Sequence, residues 1–206
     1  MNSRIEPLTR GTLVTAPSVC RDCVWWQQHR GKSVSKERWI GLAEERWGAW
    51  GTVYQDDGGP LAVMQHGPAS FFPRARELPG GPASDDAVLV TCAYLIDPAS
   101  PWVIRSLFLA AIGEARLRGA KALEAFAFHY REEEDFEERF LLHRAIFPHD
   151  LLLDLGFVMV RSAGRVRLMR LELGGLEPSV EPERAGFLGA LKRLHWPTPV
   201  PAPPRP

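Results

Sequence analysis

One acidic residue stands out because of its surroundings. Glu124 is the single charged residue of the apolar stretch 122–128, which reads ALEAFAF. A carboxylate inside an apolar strand has a raised pKa when it is unpaired, and such a group can act as a general base near neutral pH. In the alternative interpretation, Glu124 pairs with an arginine or accepts a backbone N–H, and its role is structural.

A histidine and an aspartate form a second candidate for proton transfer. His149 and Asp150 follow Pro148 at the start of a short helical segment, residues 146–155. Both side chains can donate or accept protons. A carboxylate in the first turn of a helix also satisfies backbone amides, so Asp150 has a structural alternative too.

The third chemical feature is a Cys-x-x-Cys motif. Cys20 and Cys23 lie beside Trp25 and Trp26, and the chain has one further cysteine, Cys92. A zinc site needs four ligands, and the sequence offers no second pair at metal spacing, so we predict no metal site. A redox pair and the packing of small thiols against the tryptophans remain, and we favour packing.

The elements that position these residues belong to an ordinary globular chain. It has 206 residues, is 45% hydrophobic and 24% charged, and carries a formal net charge of zero. The length fits one domain, and the neutral balance argues against binding nucleic acid through overall basic charge. Three cysteines are too few for a disulfide scaffold, and no apolar run reaches the roughly 20 residues of a membrane span. We expect a cytoplasmic protein that binds neither nucleic acid nor membrane.

Hydrophobic periodicity predicts alternating helices and strands. An amphipathic helix begins after Ser35, and a β-hairpin follows within residues 52–65. A strand over 87–96, a helix closed by Gly119 and a strand over 122–128 form a βαβ unit, whose two strands are parallel. Other predicted elements are a surface loop, a short helix, two strands and a last helix, at residues 67–84, 146–155, 157–160, 166–173 and 183–194.

Charge and proline are unevenly distributed. Residues 131–139 contain six acids and two arginines, a local net charge of minus four. Such a run either attracts a cationic amine or is a solvated face. Six of the eighteen prolines lie in residues 197–206, which indicates a separate proline-rich tail.

Two stretches resemble the GCN5-related N-acetyltransferase (GNAT) superfamily. Residues 105–124 are similar to the central helix of that superfamily, its Arg-Gly-Ala ending and the strand that follows. Residues 150–157 are similar to its late helix with a Leu-Gly-Phe ending, and residues 165–173 to its closing strand. The early Cys-x-x-Cys and the tryptophan-rich first helix look like a divergent branch of actinobacterial type.

The resemblance implies an α/β fold with a mixed central β-sheet flanked by helices on both faces, and acetyl-CoA as co-substrate. The thioester is expected along the backbone of Tyr94, Leu95 and Ile96. The pyrophosphate is expected at the backbone amides that open the next helix, those of Val103, Ile104, Arg105 and Ser106. Acetyl-CoA is expected to enter where the strands 87–96 and 157–160 splay apart.

The chain departs from the superfamily pattern at two places. An ungapped alignment ending at Arg105 puts Ala99, Trp102 and Ile104 at the three positions that define the phosphate loop, so the loop glycines are absent. Leu152 stands where the superfamily commonly has a tyrosine that protonates the departing thiolate. His149 and Asp150 are the predicted substitutes for that acid.

The resemblance implies transfer of an acetyl group to a primary amine by direct attack. The expected acceptor is a protein lysine or a small-molecule amine, and Glu124 is the predicted base. A homodimer is compatible with this prediction. We divide the chain into an N-terminal arm with the Cys-x-x-Cys (1–34), one acetyltransferase-like domain (35–195) and a tail (196–206). The alternative is a catalytically degenerate module that keeps the fold and serves in CoA binding, regulation or interaction.

Overall fold

A computed structural model describes residues 3–96, 100, 102–129 and 146–175. The acidic segment 131–139, the predicted helix 183–194 and the tail 196–206 lie outside these residues, as does the predicted end of the domain at residue 195. None of the helices in the described part of the chain is long and apolar enough to cross a membrane.

Strands and helices alternate along the described residues. The strands are β1 (Arg4–Pro7), β2 (Gly51–Asp56), β3 (Gly59–Pro68), β4 (Ala87–Leu95), β5 (Ala122–Phe128), β6 (Phe147–Pro148), β7 (Val158–Ala163) and β8 (Val166–Glu172). The α-helices are α1 (Ser18–Asp22), α2 (Lys36–Arg46), α3 (Trp102–Leu117) and α4 (His149–Asp154). Short 3-10 turns occupy Leu13–Thr15, Ala69–Phe71 and Pro73–Arg76.

The predicted helix ends have the expected capping. Ser35 precedes α2, and its side chain accepts a hydrogen bond from the backbone N–H of Arg38 at 3.3 Å. This satisfies one of the amides that the first helical turn leaves without a partner. Gly119 follows α3 with a φ of 73°, a backbone conformation that glycine adopts readily.

One mixed sheet organises the described residues. Its strand order is β1-β2-β3-β4-β5-β8-β7, and β6 pairs with β5 beside this path. The strands β4 and β5 are parallel, as the βαβ pattern predicts, and so are β5 and β6, whereas the other neighbours are antiparallel. The fold class is therefore the predicted α/β class with a mixed sheet.

Helices flank this sheet. On one side, α2 contributes Trp39, Ile40 and Ala43 to a core cluster that includes Phe126 of β5 and Leu168 of β8. Elsewhere α3 contacts β2, β3, β4 and β5. Residues 122–127 of β5 are all buried, which requires cover on both faces of the strand.

The predicted N-terminal arm is instead part of the domain. β1 pairs with β2 at the edge of the sheet, with Ile5 opposite Tyr54. Leu8 and Trp26 are only 1% and 2% exposed and belong to the core cluster. Burial of these apolar side chains holds the segment against the sheet, so the boundary predicted at residue 34 does not separate an arm from the domain.

Candidate active site

The sheet splits at an extra residue in β4. Consecutive residues of β3, Gln65 and His66, lie opposite Cys92 and Val90, so Thr91 between them has no counterpart. The pairing of β4 with β5 ends at the same point, with Val90 opposite Ala125. An extra residue of this kind is a β-bulge, which bends its strand. The bulge therefore turns the last part of β4 away from β5 and opens a split at the carboxyl ends of these parallel strands.

A buried hydrogen bond accompanies the bulge. The Thr91 hydroxyl donates to the carbonyl oxygen of Gln65 at 3.3 Å, and the Gln65 side chain accepts from Gln27 Nε2 at 2.7 Å. All three side chains are buried. The bulge is thus tied to the neighbouring strand and to the segment before α2.

The location of the split corrects one prediction. We expected the opening between strands 87–96 and 157–160, but β7, which contains residues 158–160, is separated from β4 by β5 and β8. The opening lies instead between β4 and β5. The physical reason is that β8 pairs antiparallel with β5 along all of Ala122–Phe128, and β7 pairs with β8 on its other side, which leaves β7 outermost.

Part of the split is filled by β6. Phe147 pairs with Ala127 and Pro148 with Phe128, so β6 runs beside β5 where β4 has turned away. The Phe147 ring packs against Phe108 of α3 with centroids 4.9 Å apart. Any ligand in the split therefore lies against β4 rather than against this end of β5.

The residues predicted to contact acetyl-CoA lie around this split. Tyr94 and Leu95 are in the part of β4 beyond the bulge, and Ile96 follows them. The Ile96 N–H donates to the Leu61 carbonyl on the β3 side at 2.7 Å. The backbone of β4 thus stays bonded to β3 while it leaves β5.

The side chains at the start of α3 differ in burial. Val103, Ile104 and Ser106 have buried side chains. Arg105 points outward, and its guanidinium donates to Asp154 Oδ2 of α4 at 2.7 Å. The amide of Val103 donates to the Ser100 carbonyl at 3.1 Å. Residues 97–99 and 101 of the expected phosphate loop lie outside the described residues.

Glu124 is buried and paired. None of its surface is exposed, and its carboxylate accepts from the Ser84 N–H at 2.7 Å, the Ser84 hydroxyl at 2.6 Å and Arg170 Nη1 at 3.0 Å. Arg170 also donates to Asp86 and lowers the pKa of that carboxyl. This is the arrangement of the structural interpretation, an acid that pairs with an arginine and accepts a backbone amide. The catalytic interpretation required an unpaired carboxylate, and Glu124 is paired.

His149 and Asp150 lie at the other end of β5. Arg167 Nη1 donates to His149 Nε2 at 2.8 Å, and His149 Nδ1 lies 3.3 Å from Asp150 Oδ1. Because Nε2 accepts a hydrogen bond, this network assigns the imidazole proton to Nδ1, facing Asp150. The Asp150 side chain is 78% exposed, whereas that of His149 is 11% exposed.

Two residues that the sequence predictions missed join this group. His129 directly follows β5, and its ring lies 5.6 Å from that of His149, centroid to centroid. Arg167 of β8 lies opposite Ala127, and its buried Nε has no hydrogen-bond partner among the described residues. The sequence could have indicated His129. Ligands of open α/β sheets bind outside the carboxyl ends of the strands, and His129 comes directly after the predicted strand 122–128.

The predicted catalytic residues therefore form two groups. Glu124 pairs with Leu89 just before the split, whereas His129 follows the far end of β5, five residues and about 16 Å further along an extended strand. Side chains alternate between the two faces of a strand, so Glu124 and Phe126 share one face of β5 and Ala127 lies on the other. Arg167 is opposite Ala127 and therefore lies on that other face. His149 and Asp150 are together, and Glu124 is apart from them. Leu152, at the expected position of the tyrosine, is fully buried.

Comparison with known proteins identifies the fold. No protein-family model and no curated protein matches the chain. Among solved structures, PaiA N-acetyltransferase from Thermoplasma acidophilum in complex with coenzyme A matches with a TM-score of 0.51 at 13% identity, over 84% of this chain and 99% of that one. An N-acetyltransferase from Staphylococcus aureus Mu50 matches with a TM-score of 0.50 at 16% identity, again over 84% and 99%. The chain has the fold of the GNAT acetyltransferases, as its residues predicted.

Proposed function

We propose that this protein transfers the acetyl group of acetyl-CoA to a primary amine by direct attack of the amine. The observation that carries the proposal is the split between β4 and β5, opened by the bulge at Thr91 beside the start of α3. The acceptor is an amine of a protein lysine or of a small molecule. The three thiols fit a reducing compartment, and we place the protein in the cytoplasm.

The residues around the split fit acetyl-CoA as the acyl donor. Acetyl-CoA supplies a thioester, which amines attack readily. The backbone of residues 94–96 borders the split on the β4 side. The N-terminus of α3 carries partial positive charge that attracts the pyrophosphate, whereas the N–H of Val103 is already bonded to the Ser100 carbonyl. Arg105 is held by Asp154, so its positive charge stays at this helix end.

We assign proton transfer to the residues that lie together at the carboxyl end of β5, which are His129, His149 and Asp150. His149 carries its proton on Nδ1 beside Asp150, and His129 lies next to it. His129 and Asp150 are suited to accept a proton from the ammonium of the acceptor, and His149 is suited to donate its Nδ1 proton to the thiolate of CoA. Glu124 becomes a positioning residue, because its hydrogen bonds tie Ser84 and Arg170 to β5.

Three observations favour the alternative, a module that binds CoA without turnover. β6 fills one side of the split, Leu152 cannot donate a proton, and the carboxylate of Glu124 is already paired. The two functions differ in a single step, the release of free CoA thiol in the presence of an amine.

A thermal-shift titration followed by thiol release tests both functions. We expect acetyl-CoA to raise the melting temperature, since a ligand that binds only the folded state stabilises it. We then expect amine-dependent release of CoA thiol, reduced by His149→Gln with little change in stability. No shift at millimolar acetyl-CoA would refute the donor, and a shift without release would favour the binding module.

A matched control identifies the acid-base group. Leu153→Gln introduces the same residue type at an exposed position of the same helix, α4, and should leave the pH dependence of turnover unchanged. His149→Gln should change that pH dependence. Identical pH profiles for the two variants would exclude His149 from proton transfer.

A further inference from the structure

The Cys-x-x-Cys motif has the geometry of a disulfide-forming pair. Cys20 lies in α1, and Cys23 is the C-cap residue of that helix. Because the backbone between them is helical, their Cα atoms are about 5 Å apart. Disulfides join Cα atoms that are about 4.4–6.8 Å apart. The pair can therefore be joined with little movement of the backbone.

A lysine holds a positive charge beside this pair. Lys36 Nζ donates to the Cys23 carbonyl oxygen at 2.8 Å and lies 5.1 Å from the ring centroids of both Trp39 and Trp50. The charge of Lys36 interacts most with the thiol of Cys92, and also with those of Cys23 and Cys20. A cation near a cysteine favours the thiolate, which is the reactive form.

Burial acts against the charge of Lys36, and the cysteines act in its favour. Desolvation lowers the pKa of its ammonium, and the nearby cysteines oppose this effect. The thiolates that Lys36 stabilises therefore also favour its charged form.

The three cysteines differ in access. Cys23 is exposed, whereas Cys20 and Cys92 of β4 are both partly buried, and burial raises the pKa of the Cys92 thiol to about 12. Cys92 is therefore protonated and unreactive. Among the described residues, no group of three or more histidines, cysteines or acids is placed to hold a metal ion.

We propose that Cys20 and Cys23 form a reversible dithiol–disulfide pair that exchanges with small disulfides such as glutathione disulfide, with Lys36 as its activating cation. The Cys23 thiolate attacks one sulfur of glutathione disulfide, and one glutathione thiolate leaves and is protonated by water. Cys20 loses its proton to water and attacks the Cys23 sulfur, which expels the second glutathione thiolate. Two protein thiols are oxidised to one disulfide, and one glutathione disulfide is reduced to two thiols.

Glutathione redox buffers test the proposal on the whole chain. The protein is equilibrated in buffers from reducing to oxidising, quenched with acid, alkylated and measured by mass spectrometry. We expect Cys20 and Cys23 to lose alkylation together, with no glutathione retained, and to recover in excess reduced glutathione. A lasting glutathione adduct, or full alkylation in oxidising buffer, would overturn the proposal.

Two variants separate the roles of the residues. Cys20→Ser should retain one glutathione on Cys23, since no second thiol can expel it. Lys36→Gln should slow alkylation of Cys23 at neutral pH several-fold, whereas Lys32→Gln, which changes an exposed lysine of the same segment, should not. Equal alkylation rates in the two lysine variants would show that Lys36 does not activate the pair, and the wild-type titration tests the disulfide whether or not the variants fold.

Discussion

Replacing Glu124 by glutamine distinguishes a structural role of this residue from a catalytic one. The carboxylate is fully buried and accepts three hydrogen bonds, two from Ser84 and one from Arg170. Glutamine has nearly the same shape, but its NH₂ group must face one of these donors. Breaking a buried ion pair costs about 3–5 kcal/mol. We expect about 3 kcal/mol, the lower end of that range, because Arg170 keeps Asp86 and Glu172 as partners.

Urea unfolding measures this loss of unfolding free energy directly. The melting temperature should fall by roughly 10 °C for a domain of this size. Glu172→Gln is the matched control, since Glu172 binds the same arginine but its side chain is 65% exposed. The control should cost less than about 1 kcal/mol. If Glu124→Gln unfolded like the wild type while turnover fell 100-fold or so, a loss typical of a general base, Glu124 would be the base and the structural assignment would be wrong.

Two further predictions concern stability. Burial lowers the pKa of His66 to about 4, so its neutral form is favoured in the folded protein. Unfolding then takes up a proton between about pH 6.5 and 4, and stability should fall by about 1.4 kcal/mol per pH unit as the pH drops through this range. Urea titrations at pH 7 and pH 5 should show this loss in the wild type and a smaller one in His66→Gln; equal losses would contradict it. For the glycines, a Cβ at Gly51 would collide with the backbone of β3, whereas one at Gly113 in α3 meets nothing within 4 Å. Gly51→Ala should therefore destabilise the protein, and Gly113→Ala should stabilise it by up to about 1 kcal/mol in the same assay, and the opposite order would contradict the packing.

Local patterns in the sequence were sufficient for most of the elements. The cap at Ser35, the strand 122–128 and the parallel βαβ unit appear where the periodicity placed them. These signals are local, because a helix turn or an alternating strand is set by residues a few positions apart. The resemblance to the GNAT acetyltransferases rested on such stretches as well, and the solved structures confirm the fold.

The tertiary structure decided what the candidate residues do. Glu124 reads as a lone acid in sequence, but its partners are forty and forty-six residues away, at Ser84 and Arg170. The split depends on Thr91. This residue is an extra one only relative to β3, because the strand pairing leaves it without a residue opposite. His129 and His149 meet because β6 and α4 return to the end of β5. Strand register and ion pairing join distant parts of the chain. A local sequence pattern therefore does not predict which distant residue will lie opposite.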